Sequence, residues 1–207
     1  MDLASALGGA GEHDRAERIV ADAEQLARDL TDRNDQAWVL TGLAGALAQA
    51  GERTRAEQAA AEAEYLATSL TDPNYRGWVL AGLARAFAWL GDFARAEQIA
   101  TDAERLAHRI TELEYQAQVL ANVAVALAQA GKHARAEEVA RAVTSPDHRA
   151  QALANVAAAV AEAGDRTSAA RLLGTALSVG DWARLPLPAV ANVSPDAIRA
   201  ITNATVR

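Results

Sequence analysis

Cysteine is absent from the 207 residues, which removes any disulfide framework and any thiolate metal site and fits a reducing compartment. Lysine is nearly absent: Lys132 stands alone among 20 basic residues, and the net charge is −7. Binding nucleic acid requires clustered cations to neutralise phosphates, so nucleic acid is not an expected partner. Aromatic residues make up 4% of the chain, and the core must therefore be built from small side chains. No apolar run approaches the roughly 18 to 20 residues of a membrane span. The start, Met1-Asp2-Leu3, has no basic segment ahead of an apolar one. The expectation is a cytoplasmic protein with no membrane partner, in which the sequons at Asn192 and Asn203 are chance matches.

What the chain has is alanine, about a quarter of its residues, accompanied by Leu, Arg and Glu. These are strong helix formers, and a sheet protein is nearly excluded. The chain also repeats itself. Gly11, Gly51, Gly91, Gly131 and Gly164 are each followed by an Arg/Ala/Glu-rich stretch such as Arg55-Ala56-Glu57 or Arg95-Ala96-Glu97. Before the glycines, apolar residues recur at offsets of 3, 4 and 7: Leu40, Leu43, Ala44 and Leu47, then Leu80, Leu83, Ala84 and Phe87. The later repeats continue with Leu120, Val123, Ala124 and Leu127, and with Leu153, Val156, Ala157 and Val160. Such offsets define one face of a helix.

A second stripe follows each glycine, for example Ala16, Ile19, Val20, Ala23, Leu26, Ala27 and Leu30, so each repeat is a helical hairpin. The glycines suit the left-handed position that ends a helix. Thr71-Asp72-Pro73, Thr111 with Glu114, and Ser145-Pro146-Asp147 read as helix starts, and Ser194-Pro195-Asp196 should open a short terminal helix. One hairpin cannot bury both its faces, so neighbours must stack. The expected architecture is all-α, an α-solenoid of about five helical hairpins over residues 1–180. An irregular C-terminal cap around Trp182, Pro186 and Pro188 is expected over 181–207. Leu3, Ala4 and Leu7 align with residues partway along a first helix, which suggests a piece of a longer protein or a short natural start.

This pattern resembles the tetratricopeptide repeat family over residues 3 to 179. That family places large apolar residues eleven, eight and four positions before the turn glycine, a small residue seven before it and an alanine five after it. Leu40, Leu43, Leu47, Ala44 and Ala56 hold those places around Gly51, and Ala96, Ala136 and Ala169 repeat the last. The departures are alanine for the usual small glycine, leucine for the first-helix tyrosines, and no proline ending the second helix. Repeats of 40 residues rather than 34 imply a second helix longer by one to two turns. They resemble the long repeats in regulatory regions of large bacterial signalling proteins.

Catalytic motifs are missing: there is no nucleophile elbow, phosphate loop, dinucleotide fingerprint or zinc-protease signature. His13 shares a register with His133, and His108 with His148, and three repeats separate the members of the first pair by about 30 Å. No metal site, cofactor or enzymatic activity is expected. Pairs such as Asp14 with Arg18 and Glu24 with Arg28 sit four apart and suit an exposed face.

The remaining candidates lie on the first helices, between the packing positions, where such an array presents its concave wall. They are Trp38 and Thr41, Trp78 and Arg85, Gln118 and Asn122, and Gln151 and Asn155. Large aromatics and arginine dominate interface energetics. Trp38 and Trp78 share a register and either form adjacent shelves for a ligand or pack between neighbouring helices. Asn122 and Asn155 resemble the backbone-gripping asparagines of the family. Arg85 alone could serve its carboxylate clamp, so recognition of a peptide carboxyl terminus is not expected. Trp89 either packs on Phe93 across the turn or anchors a partner. The expected function is a non-enzymatic scaffold that binds a protein or peptide segment, or another domain of the same parent protein. The alternative is a sensory or autoinhibitory region of a larger bacterial signalling ATPase or protease.

Overall fold

The computed structural model describes residues 13–179, 190, 191 and 193, and among them every regular element is a helix. The helices are α1 (His13–Asp29), α2 (Arg33–Ala50), α3 (Arg53–Ser69), α4 (Pro73–Trp89) and α5 (Phe93–Ala107). They continue with α6 (Leu113–Gln129), α7 (His133–Ala142), α8 (Pro146–Glu162) and α9 (Arg166–Val179). The turn at Gly11, the helix before it, the cap around Trp182 and the terminal helix after Ser194 lie outside the described residues. The chain divides into two compact units, Met1–Leu106 and Ala107–Arg207. In the first, α2 packs on α1, α3 and α4, and α3 also packs on α4. In the second, α6 packs on α7 and α8, and α8 packs on α7 and α9. Consecutive helices thus form hairpins, and first helices of successive repeats lie side by side within each unit.

Each first helix ends in the same way. Gly51, Gly91, Gly131 and Gly164 have φ between 76° and 94°, the left-handed region that a Cβ makes costly. The reversed chain then returns an N–H to the helix it has left: Glu52 to Leu47 O, Asp92 to Phe87 O, Lys132 to Leu127 O and Asp165 to Val160 O. Helix starts are less uniform. Asp32 and Asp72 accept backbone N–H groups from the first turns of α2 and α4, and Pro73 opens α4. The expected capping box at Thr111 does not form, because the cap residue of α6 is Glu112 and its side chain makes no capping bond. Ser145 precedes Pro146 as expected, but its hydroxyl pairs with His148 Nδ1 at 2.9 Å.

Repeat length is adjusted in the second helix. The first helices hold 18, 17, 17 and 17 residues, whereas α3 has 17 and α7 has 10. That shortening of about two turns matches the drop in glycine spacing between Gly131 and Gly164. In three of the four such connections a buried apolar residue, Leu70, Ile110 or Val143, closes the second helix, and Leu30 holds the same place half-buried after α1.

Leu40, Leu43, Ala44 and Leu47 are buried, as are Leu83, Ala84 and Phe87, and the later two stripes are buried throughout. Leu80 is only half-buried. The stripe on α1 is buried in part: Ala27 is inaccessible, while Leu26 is 65% exposed. Alanine contributes most of the buried positions on α3, where Ala56, Ala59, Ala60, Ala63 and Ala67 let the backbones approach. Across repeats, second helices are tied by ion pairs: Arg55 with Glu24, Arg95 with Glu64, and Arg171 with Glu137.

Candidate functional site

In the first unit, the register of α2 and α4 brings Trp38 and Trp78 together. Their ring centroids are 5.9 Å apart with planes tilted by 45°. This is a favourable aromatic geometry, worth on the order of 1 kcal/mol beyond burial. Trp38 remains 49% exposed and Trp78 is half-buried, so the pair supports its own packing and still offers ring surface to solvent. The tryptophans thus pack on each other across neighbouring first helices, while Trp38 keeps an exposed face.

Thr41 is placed differently from the others. It is buried, its hydroxyl donates to Ala37 O at 2.7 Å, and its methyl lies against Gly82. A Cβ at residue 82 would stand 2.4 Å from Thr41 Cγ2, so the glycine sets how closely α4 can approach α2. Thr41 is thus a packing residue with no exposed surface to offer a ligand. The hydroxyl's bond to the carbonyl one turn back is what makes a buried threonine tolerable in a helix.

Trp89 turns to α2 and packs over Gly45, where an added Cβ would sit 3.2 Å from Trp89 Cζ3. Phe93, the contact the sequence suggested for it, is 49% exposed. Arg85 lies over the Trp89 ring, with its guanidinium carbon 5.0 Å from the ring centroid. Burial lowers the Arg85 guanidinium from its usual value, and the stacked indole is the kind of surface on which a weakly hydrated cation is held. A second stack of this type joins Arg95 to Phe87, 4.4 Å from guanidinium carbon to centroid.

In the second unit, Gln118, Asn122 and Asn155 are half-buried and Gln151 is exposed. They lie on the outward side of α6 and α8, whose opposite sides bury Val123, Leu127, Val156 and Val160. This face carries amides where the first unit carries aromatics. Neutral amides can donate to and accept from a peptide backbone, and they add no charge.

The signal for Gly45 and Gly82 was present in the sequence. A glycine inside an alanine-rich helix sacrifices about 1 kcal/mol of helix propensity, which is worth giving up where something approaches the backbone closely. Tyr75, 44% exposed and one turn before Trp78, extends the aromatic surface and was not among the expected residues. Among the described residues no group of acidic or histidine side chains is arranged to hold a metal ion, and no helix is long and apolar enough to cross a membrane. His108 is exposed and His133 and His148 are half-buried.

No protein-family model matches the chain, and no curated protein matches it. Solved structures resemble it, two of them as follows. BtubC (BKLC) from P. vanneervenii superposes with a TM-score of 0.53 at 20% identity, over 86% of this chain and 76% of that one. Ton1535 from Thermococcus onnurineus NA1 gives 0.54 at 20% identity, over 97% of this chain and 55% of that one. This chain therefore spans about half the length of Ton1535. At such identity the likeness concerns the fold.

Proposed function

We propose that the chain is a tetratricopeptide-like interaction module of a bacterial, cytoplasmic protein, a non-enzymatic scaffold whose first-helix faces bind a protein or peptide segment. The observation that carries this reading is the Trp38–Trp78 pair. Its rings touch at 5.9 Å, yet Trp38 keeps 49% of its surface in water at a position the core does not use. Exposed aromatic surface of this kind, on a rigid element, is what interface anchors are made of. Gln118, Asn122, Gln151 and Asn155 supply the polar partners of a segment on the second unit's face.

Selection of displayed random peptides against the full chain tests the reading. Trp38→Ala combined with Trp78→Ala, both on the first unit, should weaken a selected peptide by about 2 kcal/mol or more, read by calorimetric titration. Unchanged affinity in that variant, with loss on changing Arg55 and Glu104 of the second helices, would move the binding surface to the other side.

A further inference from the structure

We infer that the exposed end of the Trp38–Trp78 pair receives a basic side chain, an arginine or lysine of the bound segment; this rests on the reading of the first-helix face as the binding surface. Asp35 precedes Trp38 by three residues, and Tyr75 precedes Trp78 by three, so each lies one turn before its tryptophan on the same side of its helix. The ring centroids of the two tryptophans are 5.9 Å apart, and Asp35 and Tyr75 hold equivalent places one turn before them, so the indole pair is flanked by an exposed carboxylate and an exposed phenol. Trp38, Tyr75 and Asp35 are all exposed, and Asp35 has no ion-pair partner among the described residues.

The other carboxylates nearby are already engaged as helix caps, and two arginines also lie close in sequence. Asp32 and Asp72 cap the helix starts by accepting from Asn34 and Asn74 N–H. Arg76 follows Tyr75 directly; it is half-buried and its Nε has no hydrogen-bond partner. Arg33 opens α2 two residues before Asp35 and is exposed, so the three carboxylates Asp32, Asp35 and Asp72 stand against the two cations Arg33 and Arg76. Arg85 stands ten residues beyond Tyr75, about 15 Å along the helix, and stacks on Trp89. A cation over the indole faces, with the Asp35 carboxylate one turn away in a chain of net charge −7, meets negative ring faces and a local excess of carboxylates. An acidic side chain would meet Asp35 and the negative faces of the rings.

Blocked pentapeptides with a central Arg, Lys, norleucine or Glu between glycines, and tetramethylammonium chloride, serve as probes of the full chain. The indole N–H resonances of Trp38 and Trp78 are followed by NMR. The Arg and Lys peptides should shift both signals saturably, at least about fivefold more tightly than norleucine or Glu. Asp35→Asn should remove that preference while the melting temperature holds, and Trp38→Phe, which keeps an aromatic ring, should retain part of it. Equal binding of the norleucine peptide, no effect of Asp35→Asn, or tetramethylammonium saturating as tightly as the Arg peptide would overturn the inference. Displayed peptides that need Trp38 but tolerate replacement of their basic residues would overturn it too, and would leave the broader binding reading intact.

Discussion

The first helices of the two units solve the same packing problem with different residues. In the first unit, α2 and α4 contain Gly42, Gly45, Gly77 and Gly82 and every tryptophan among the described residues. In the second, α6 and α8 contain neither residue type and use Val, Ala, Asn and Gln instead. The buried stripes are nevertheless equivalent, from Leu43 and Leu83 to Val123 and Val156. Burial of those stripes and the left-handed glycine turns are common to both units, so they define the scaffold. The outward positions differ because the scaffold leaves them free, and glycine opposite Trp89 and Thr41 is the compensation that large or branched neighbours require.

The largest expected effect tests the shared part of that comparison. Leu83→Ala and Leu127→Ala each remove a fully buried leucine, one per unit, and should each cost on the order of 2 to 5 kcal/mol in chemical denaturation. A small effect in one unit alone would show that the two cores are not equivalent. Next comes the part peculiar to the first unit. Gly82→Ala gains helix propensity but places a Cβ 2.4 Å from the Thr41 methyl, and should destabilise by about 1 to 3 kcal/mol. Thr41→Ser in the same chain removes that methyl and should recover most of the loss. Stabilisation by Gly82→Ala alone would mean that the helices are not held at this separation.

A smaller effect belongs to the second unit. Arg171 grips Glu137 with bonds of 2.7 and 2.6 Å, and Arg141 adds a third contact. The Arg171 hydrogen bonds hold the Glu137 carboxyl below its usual pKa, against an opposing effect of burial. A depressed folded value means that the contribution is complete above the unfolded pKa of about 4.3 and fades as pH falls through the folded one. Glu137→Gln should therefore cost about 1 kcal/mol or less at pH 7, with the difference from the parent chain vanishing in acid. A difference that persisted unchanged at low pH would assign it to packing. Smallest of all, Arg28→Ala on the exposed side of α1 should stay under about 0.5 kcal/mol, since its ion pair with Glu24 is 3.8 Å long and solvated.

Much of this was legible in the residues. The 3, 4, 7 spacing located the buried faces because burial is periodic, and glycine located the turns because only it enters the left-handed region freely. Positions set by a neighbouring helix were harder. Thr41 reads as an outward polar residue until Gly82 is seen opposite it, and Trp89 reads as a turn residue until Gly45 is seen beneath it. Leu26 reads as core from spacing alone, but its exposure depends on what its helix packs against.

The measurement closest to the central claim, that the aromatic face of the first unit anchors a bound segment, is calorimetric titration of a selected peptide into single variants of matched stability. Trp38→Ala should weaken binding about tenfold or more, while Glu138→Ala and Arg55→Ala, on second helices of the two units, should change it less than about twofold. Full affinity in Trp38→Ala together with loss in Arg55→Ala would contradict the account.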